Sequence, residues 1–160
     1  MNLTPTHIHL LLNHFPTIGF TIGLSLFVVA LIAKSADLER AALVIFVCIA
    51  FLTVPTYLSG NAAEESILRS PGVSKTLIET HESAALVAFL FMQLTGGVAW
   101  LGLLRYRRIH SLSRHNLITV FVLAILTMGV VTRAANIGGE IRHPEIQASQ
   151  ETTTPEGSIA

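Results

Sequence analysis

Four apolar stretches separated by short polar intervals dominate the chain. The first, Leu10–Ala33 (LLLNHFPTIGFTIGLSLFVVALIA), runs without a formal charge. About 20 helical residues at 1.5 Å each cover a hydrocarbon core of roughly 30 Å. A buried helix of a soluble protein can also be apolar all round, but three more such runs follow within 160 residues. They are expected at Ala41 to Leu58, Ser83 to Leu104 and Asn116 to Asn136. The pattern predicts an all-α fold, an integral membrane four-helix bundle.

Local signals place the element ends. Thr4-Pro5 reads as a capping hydroxyl followed by proline at the first helical position. Pro16 would clash with the carbonyl of Leu12 and removes one ladder bond, so a kink or restart is expected near Leu12 to Pro16. Lys34 to Arg40 (KSADLER) is a short polar turn. Pro55 and then Gly60 are expected to end the second helix, ahead of the surface segment GNAAEESILRSPG. Thr76-Leu77-Ile78-Glu79 has the form of a capping box opening the third helix. RYRRIHSLSRH is a basic turn, and Gly138-Gly139 reads as the stop of the fourth helix. The domain reading is one four-span membrane domain over residues 1–145 and a flexible polar tail over 146–160.

Composition agrees with the pattern. The chain is 51% hydrophobic and 12% charged, with mean hydropathy +0.63, against about 25% charged in ordinary soluble domains. A formal net charge of zero gives no support for a nucleic-acid surface. The single Cys48 lies in an apolar run and is expected to be a small packing residue. MNLTPTHIH lacks the basic start of a signal peptide, so the first span is expected to be retained. Lys34, Arg40, Arg105, Arg107, Arg108 and Arg114 sit in the two turns, against Arg69, Lys75, Arg133 and Arg142 on the other side. The positive-inside rule then puts both turns in the cytoplasm and both termini outside.

With that topology most histidines gather at the outer end. His14 on the first span and His81 on the third lie one to two turns below the surface. Ionisable residues at membrane depth are costly, face the bundle interior and usually serve a function. Two imidazoles on separate helices can take the two faces of a haem iron, and a flat apolar macrocycle suits a cleft between membrane helices. Arg133, Arg142 and Arg69 are placed to meet propionates, and His143 is a further candidate at the surface. Gly19 and Gly23 leave room for a flat ring or another helix. The plainer alternatives are interhelix hydrogen bonds for the histidines, and snorkelling or a Glu64 pair for Arg133. His7 and His9 alternate rather than stack at helical spacing, so they are weaker ligand candidates, although a second haem could use His7, His9 or His143. HExxH, CxxC and CxxCH motifs are all missing from the sequence, which removes the regular zincin pattern and covalent haem attachment.

NHFPTIG at Asn13–Gly19, with four spans and a histidine opening the third, resembles a small family of bacterial membrane proteins of unknown function with a (V/N)HFP signature. That family is similar in layout to b-type cytochrome membrane subunits. The resemblance implies that His14 is the family histidine and that the protein sits in the bacterial inner membrane. His81 as its partner is a reading of the residues alone. Family members carry a His-Pro pair just upstream, where this chain has Thr6-His7-Ile8.

The expectation is noncovalent binding of one haem b, or two, with His14 and His81 as iron ligands. Electrons would pass between the quinone pool or other membrane redox subunits and a periplasmic cytochrome, in an electron-transfer subunit rather than a self-contained enzyme. The alternatives are metal-ion binding or transport, with Glu64, Glu65, Glu82 and His143 joining the two histidines, and a structural or pigment-binding subunit. The spans show no evident polar residue near mid-membrane, which makes a poor solitary pore.

Overall fold

Pro16 has no N–H to offer the carbonyl of Leu12, and the first apolar run breaks there. A computed structural model describes residues 4–67 and 74–142 and contains α1 (Pro5–Leu12), α2 (His14–Ala33), α3 (Ala36–Ile67), α4 (Lys75–Ile109) and α5 (Arg114–Arg142). The freed Leu12 carbonyl accepts from the Thr56 hydroxyl of α3 at 3.5 Å. Helices α1 and α2 together make the first span, Thr6–Ala33, and α3, α4 and α5 supply Ala36–Glu64, Lys75–Ile109 and Arg114–Ile141. All four are long and apolar enough to cross a bilayer, and the chain is a multi-pass membrane protein.

Two tight turns close the hairpins, each ending a helix in the left-handed region, at Lys34 (φ 52°) and His110 (φ 51°). This end is the hairpin pole. The opposite, terminal pole holds the start of α1, the end of α3, the start of α4 and the end of α5. Thr4 caps α1 by accepting from the His7 amide, and Ser74 caps α4 by accepting from the Leu77 amide. Ser74, not the Thr76–Glu79 box, therefore opens the third span. Gly60 does not stop α3 and Gly138-Gly139 does not stop α5. Helix propensity against glycine is about 1 kcal/mol, too little to end a helix held by packing on both sides.

Each span packs on its neighbours in order, α2 on α3, α3 on α4 and α4 on α5, and α2 meets α5 to close the bundle. Phe20, Phe27 and Phe46 fill one half of the interior, with ring centroids 5.0 and 5.8 Å apart. Gly19 and Gly23 receive Ile49 and Ile45 of α3, and Gly96 receives Ala50, so these glycines admit a neighbouring helix rather than a ring. The outward face is apolar, including Ile18, Ile22, Leu90 and Leu101, as lipid requires. Cys48 lies on that exposed face, not in the packing. The mid-span does hold polar groups, contrary to the sequence reading. Thr95 and Thr127 share a hydroxyl bond of 2.8 Å, and Gln93 donates to the Ala50 carbonyl at 2.8 Å.

The two hairpins are structural repeats. Buried Pro16, Phe20, Gly23, Phe27 and Ala30 of α2 correspond to buried Ala88, Met92, Thr95, Ala99 and Gly102 of α4, at one constant spacing. Buried Ala42, Phe46, Ile49, Thr53 and Thr56 of α3 correspond likewise to Val120, Ala124, Thr127, Val131 and Ala134 of α5. Both hairpins run in the same sense, from the terminal pole to the hairpin pole and back. The side chains differ at nearly every pair, and only the pattern of burial repeats.

Candidate functional site at the terminal pole

The repeat brings two histidines into equivalent places. His9 on α1 donates from Nδ1 to the Thr56 carbonyl of α3 at 3.1 Å, with Ser59 Oγ at 3.2 Å. His81 on α4 donates from Nδ1 to the Ala134 carbonyl of α5 at 3.1 Å. Thr56 and Ala134 are themselves a corresponding pair. Each ring is therefore fixed by a carbonyl of the next span along the chain. With Nδ1 carrying the proton, Nε2 keeps its lone pair, which is how second-shell bonds prepare an imidazole for a metal.

Glycine makes room for both rings. A Cβ on Gly60 would lie 3.1 Å from Cε1 of His9, and one on Gly138 would lie 2.9 Å from Cε1 of His81. Gly60 and Gly138 are again equivalent positions in the two hairpins. Both imidazoles are half-buried. Among the described residues Nε2 of neither ring has a hydrogen-bond partner. Each of these two imidazoles, on diagonal helices, thus has its Nδ1 committed to a carbonyl and its Nε2 left as the atom that could ligate a metal.

His14 stands elsewhere. It lies exposed on α2 and donates from Nδ1 to the Leu10 carbonyl of its own helical run at 2.8 Å. His14 and His81 are not brought together; His9 occupies the interior position expected of His14. On α1 it is His9 that meets α3, at the Thr56 carbonyl, while His7, two residues earlier and so on the opposite side of the helix, bonds Thr4 at the surface. Arg133 is exposed in a groove with Glu79, Thr80 and Ser83, outside the paired histidines. Arg142 is the last residue of α5, and His143, Arg69 and the tail lie outside the described residues. Among the described residues no three His, Cys, Asp or Glu side chains gather as a metal cluster.

From sequence His9 is a weak ligand candidate, Gly60 and Gly138 read as helix stops, and nothing marks the Thr56 carbonyl as a partner. The signal available was the alternation of His7 and His9, since two residues about 200° apart on a helix cannot both face solvent when one side is packed. Compared with known proteins, the chain matches no family model, no curated protein and no solved structure.

Proposed function

We propose that the protein binds one haem b noncovalently at the terminal pole, with His9 and His81 as the axial ligands, and serves single-electron transfer at the extracytoplasmic face of a bacterial inner membrane. The observation that carries this reading is the matched pair of rings, each tied at Nδ1 to a backbone carbonyl and set against a glycine. A porphyrin supplies four of the six iron ligands, so two protein nitrogens suffice, whereas a structural zinc site takes four protein ligands.

Bound there, the group would supply a reversible one-electron couple. The residues of this chain do the rest. His9 and His81 would both be taken up in holding the iron, which favours electron relay over binding of a substrate there. The Thr56 and Ala134 carbonyls hold the rings in one tautomer and orientation. The apolar spans below exclude water and lower the local dielectric. A site at one pole exchanges electrons with a neighbour on the same side, either a periplasmic cytochrome or another membrane subunit with access to quinone. The six Lys and Arg of the hairpin pole support an extracytoplasmic terminal pole.

The test is a reduced-minus-oxidised absorption spectrum of detergent-purified protein made with adequate haem supply. A b-type signal is expected in the wild type and in H14A, and its loss in H9A and in H81A. A signal undiminished in H9A, or a colourless wild type, overturns the assignment.

A further inference from the structure

A second polar feature at the terminal pole lies outside the histidine pair, on the lipid-facing side of the α4–α5 contact. It is a groove of about 350 Å³ whose upper wall carries Arg133, Glu79, Thr80 and Ser83, and whose lower wall is Ala84 and Val87. Arg133 and Glu79 line the same groove without pairing. Glu79 instead reaches Lys75 at 3.8 Å, and the guanidinium has no carboxylate within salt-bridge distance among the described residues. Thr80 and Ser83 donate to carbonyls of their own helix at 2.8 and 2.9 Å, which leaves their oxygen lone pairs facing outward as acceptors.

Depth gives this arrangement its meaning. Arg133 lies more than two helical turns before the end of α5, opposite the first turns of α4, where the hydrocarbon meets the headgroups. An arginine there needs an anionic partner or a path to water. Helical side chains lean toward the N-terminus of their helix, and for α5 that direction is into the membrane. The space below Arg133 on the same face is open, because a Cβ on Gly129, one turn earlier, would touch nothing within 4 Å.

We propose that this groove seats one phospholipid whose headgroup carries both a phosphate and a primary ammonium. The phosphate accepts from the Arg133 guanidinium in a charge-assisted, bidentate manner. The ammonium donates to the Glu79 carboxylate and to the outward lone pairs of Thr80 and Ser83. One acyl chain descends past Ala84 and Val87 toward the space at Gly129. Opposite charges held apart within one groove favour a zwitterionic headgroup over an anionic one, which Glu79 repels.

The proposal is independent of haem and is tested on haem-free protein in mild detergent. Phosphatidylethanolamine or phosphatidylglycerol is added to equal mole fraction, and the thermal midpoint is followed by circular dichroism. Phosphatidylethanolamine is expected to raise the wild-type midpoint more than phosphatidylglycerol does. R133Q is expected to lose at least half of that rise. E79Q is expected to keep a response to lipid but to lose the preference between headgroups, so it carries the test should R133Q fail to accumulate. Equal responses in wild type and R133Q, or a preference unchanged in E79Q, overturn the proposal. So does a haem content that falls in R133Q as purified, before the haem is removed, with its lipid response intact, which would assign the guanidinium to a propionate.

Discussion

Gly60 and Gly138 are where a single methyl group has the most to say. Alanine at Gly138 would set its Cβ 2.9 Å from the His81 ring, and alanine at Gly60 would sit 3.1 Å from His9. Neither ring can retreat without lengthening its bond to the next span's carbonyl. Overpacking of this kind costs about 1–3 kcal/mol. Gly138→Ala and Gly60→Ala are therefore expected to lower both the thermal midpoint and the haem retained per protein through purification. Gly139→Ala, whose Cβ would meet nothing within 4 Å, is expected to change neither, and equal haem loss at all three positions would contradict the account. At this scale the sequence revealed chemistry but not partnership. His81 could be picked out as an imidazole at membrane depth. That Ala134 receives its proton could not, because a backbone carbonyl accepts the bond whatever the side chain. His14 attracted attention through the NHFP element, yet its bond to Leu10 keeps it on the outer surface.

Among the helices, α1 is set apart by one proline. Pro16 was legible as a break, and the break falls where the lost N–H predicts, between Leu12 and His14. What α1 docks on was not legible, since the partner is Thr56 of α3, whose hydroxyl meets the Leu12 carbonyl and whose carbonyl holds the His9 ring. Pro16→Ala should restore the ladder bond and straighten the span. Straightening carries His9 off Thr56, so haem occupancy should fall while the thermal midpoint of the haem-free protein does not. A fall in that midpoint would mean that the kink serves stability instead. The α3–α4 contact gives a second element-scale prediction. A side chain at Gly96 runs into Ala50, whereas one at adjacent Gly97 meets open space. Gly96→Val should separate the helices and destabilise by about 1–3 kcal/mol or more. Gly97→Val should fold like the wild type, as judged by thermal unfolding in detergent. Helix ends were the weakest part of the sequence reading, because Gly60 and Gly138 interrupt no helix that neighbours hold straight.

For the molecule as a whole, hydropathy alone was enough to give four spans, and the distribution of Lys and Arg gave a preferred orientation. A cysteine introduced at Ser111, in a Cys48→Ser background, should be labelled by an impermeant thiol reagent only after the inner side of the membrane is opened. Labelling of intact cells would reverse the assignment of the poles. The relation between the hairpins was hidden from the sequence, because it lies in which positions are buried and almost nowhere in which residues occupy them. Phe20 and Met92, or Gly23 and Thr95, hold equivalent places with unlike chemistry.

That hidden relation bears on ancestry. Two hairpins inserted with the same sense and buried at matching positions are what a homodimer of one hairpin would present. One short gene, encoding a single hairpin with one histidine and one glycine, would already assemble paired rings across the two-fold. Tandem fusion would then release each copy to evolve separately. In the present chain one half has phenylalanines at its centre and the other has the hydroxyls of Thr95 and Thr127, while each half keeps a histidine beside a glycine at corresponding positions.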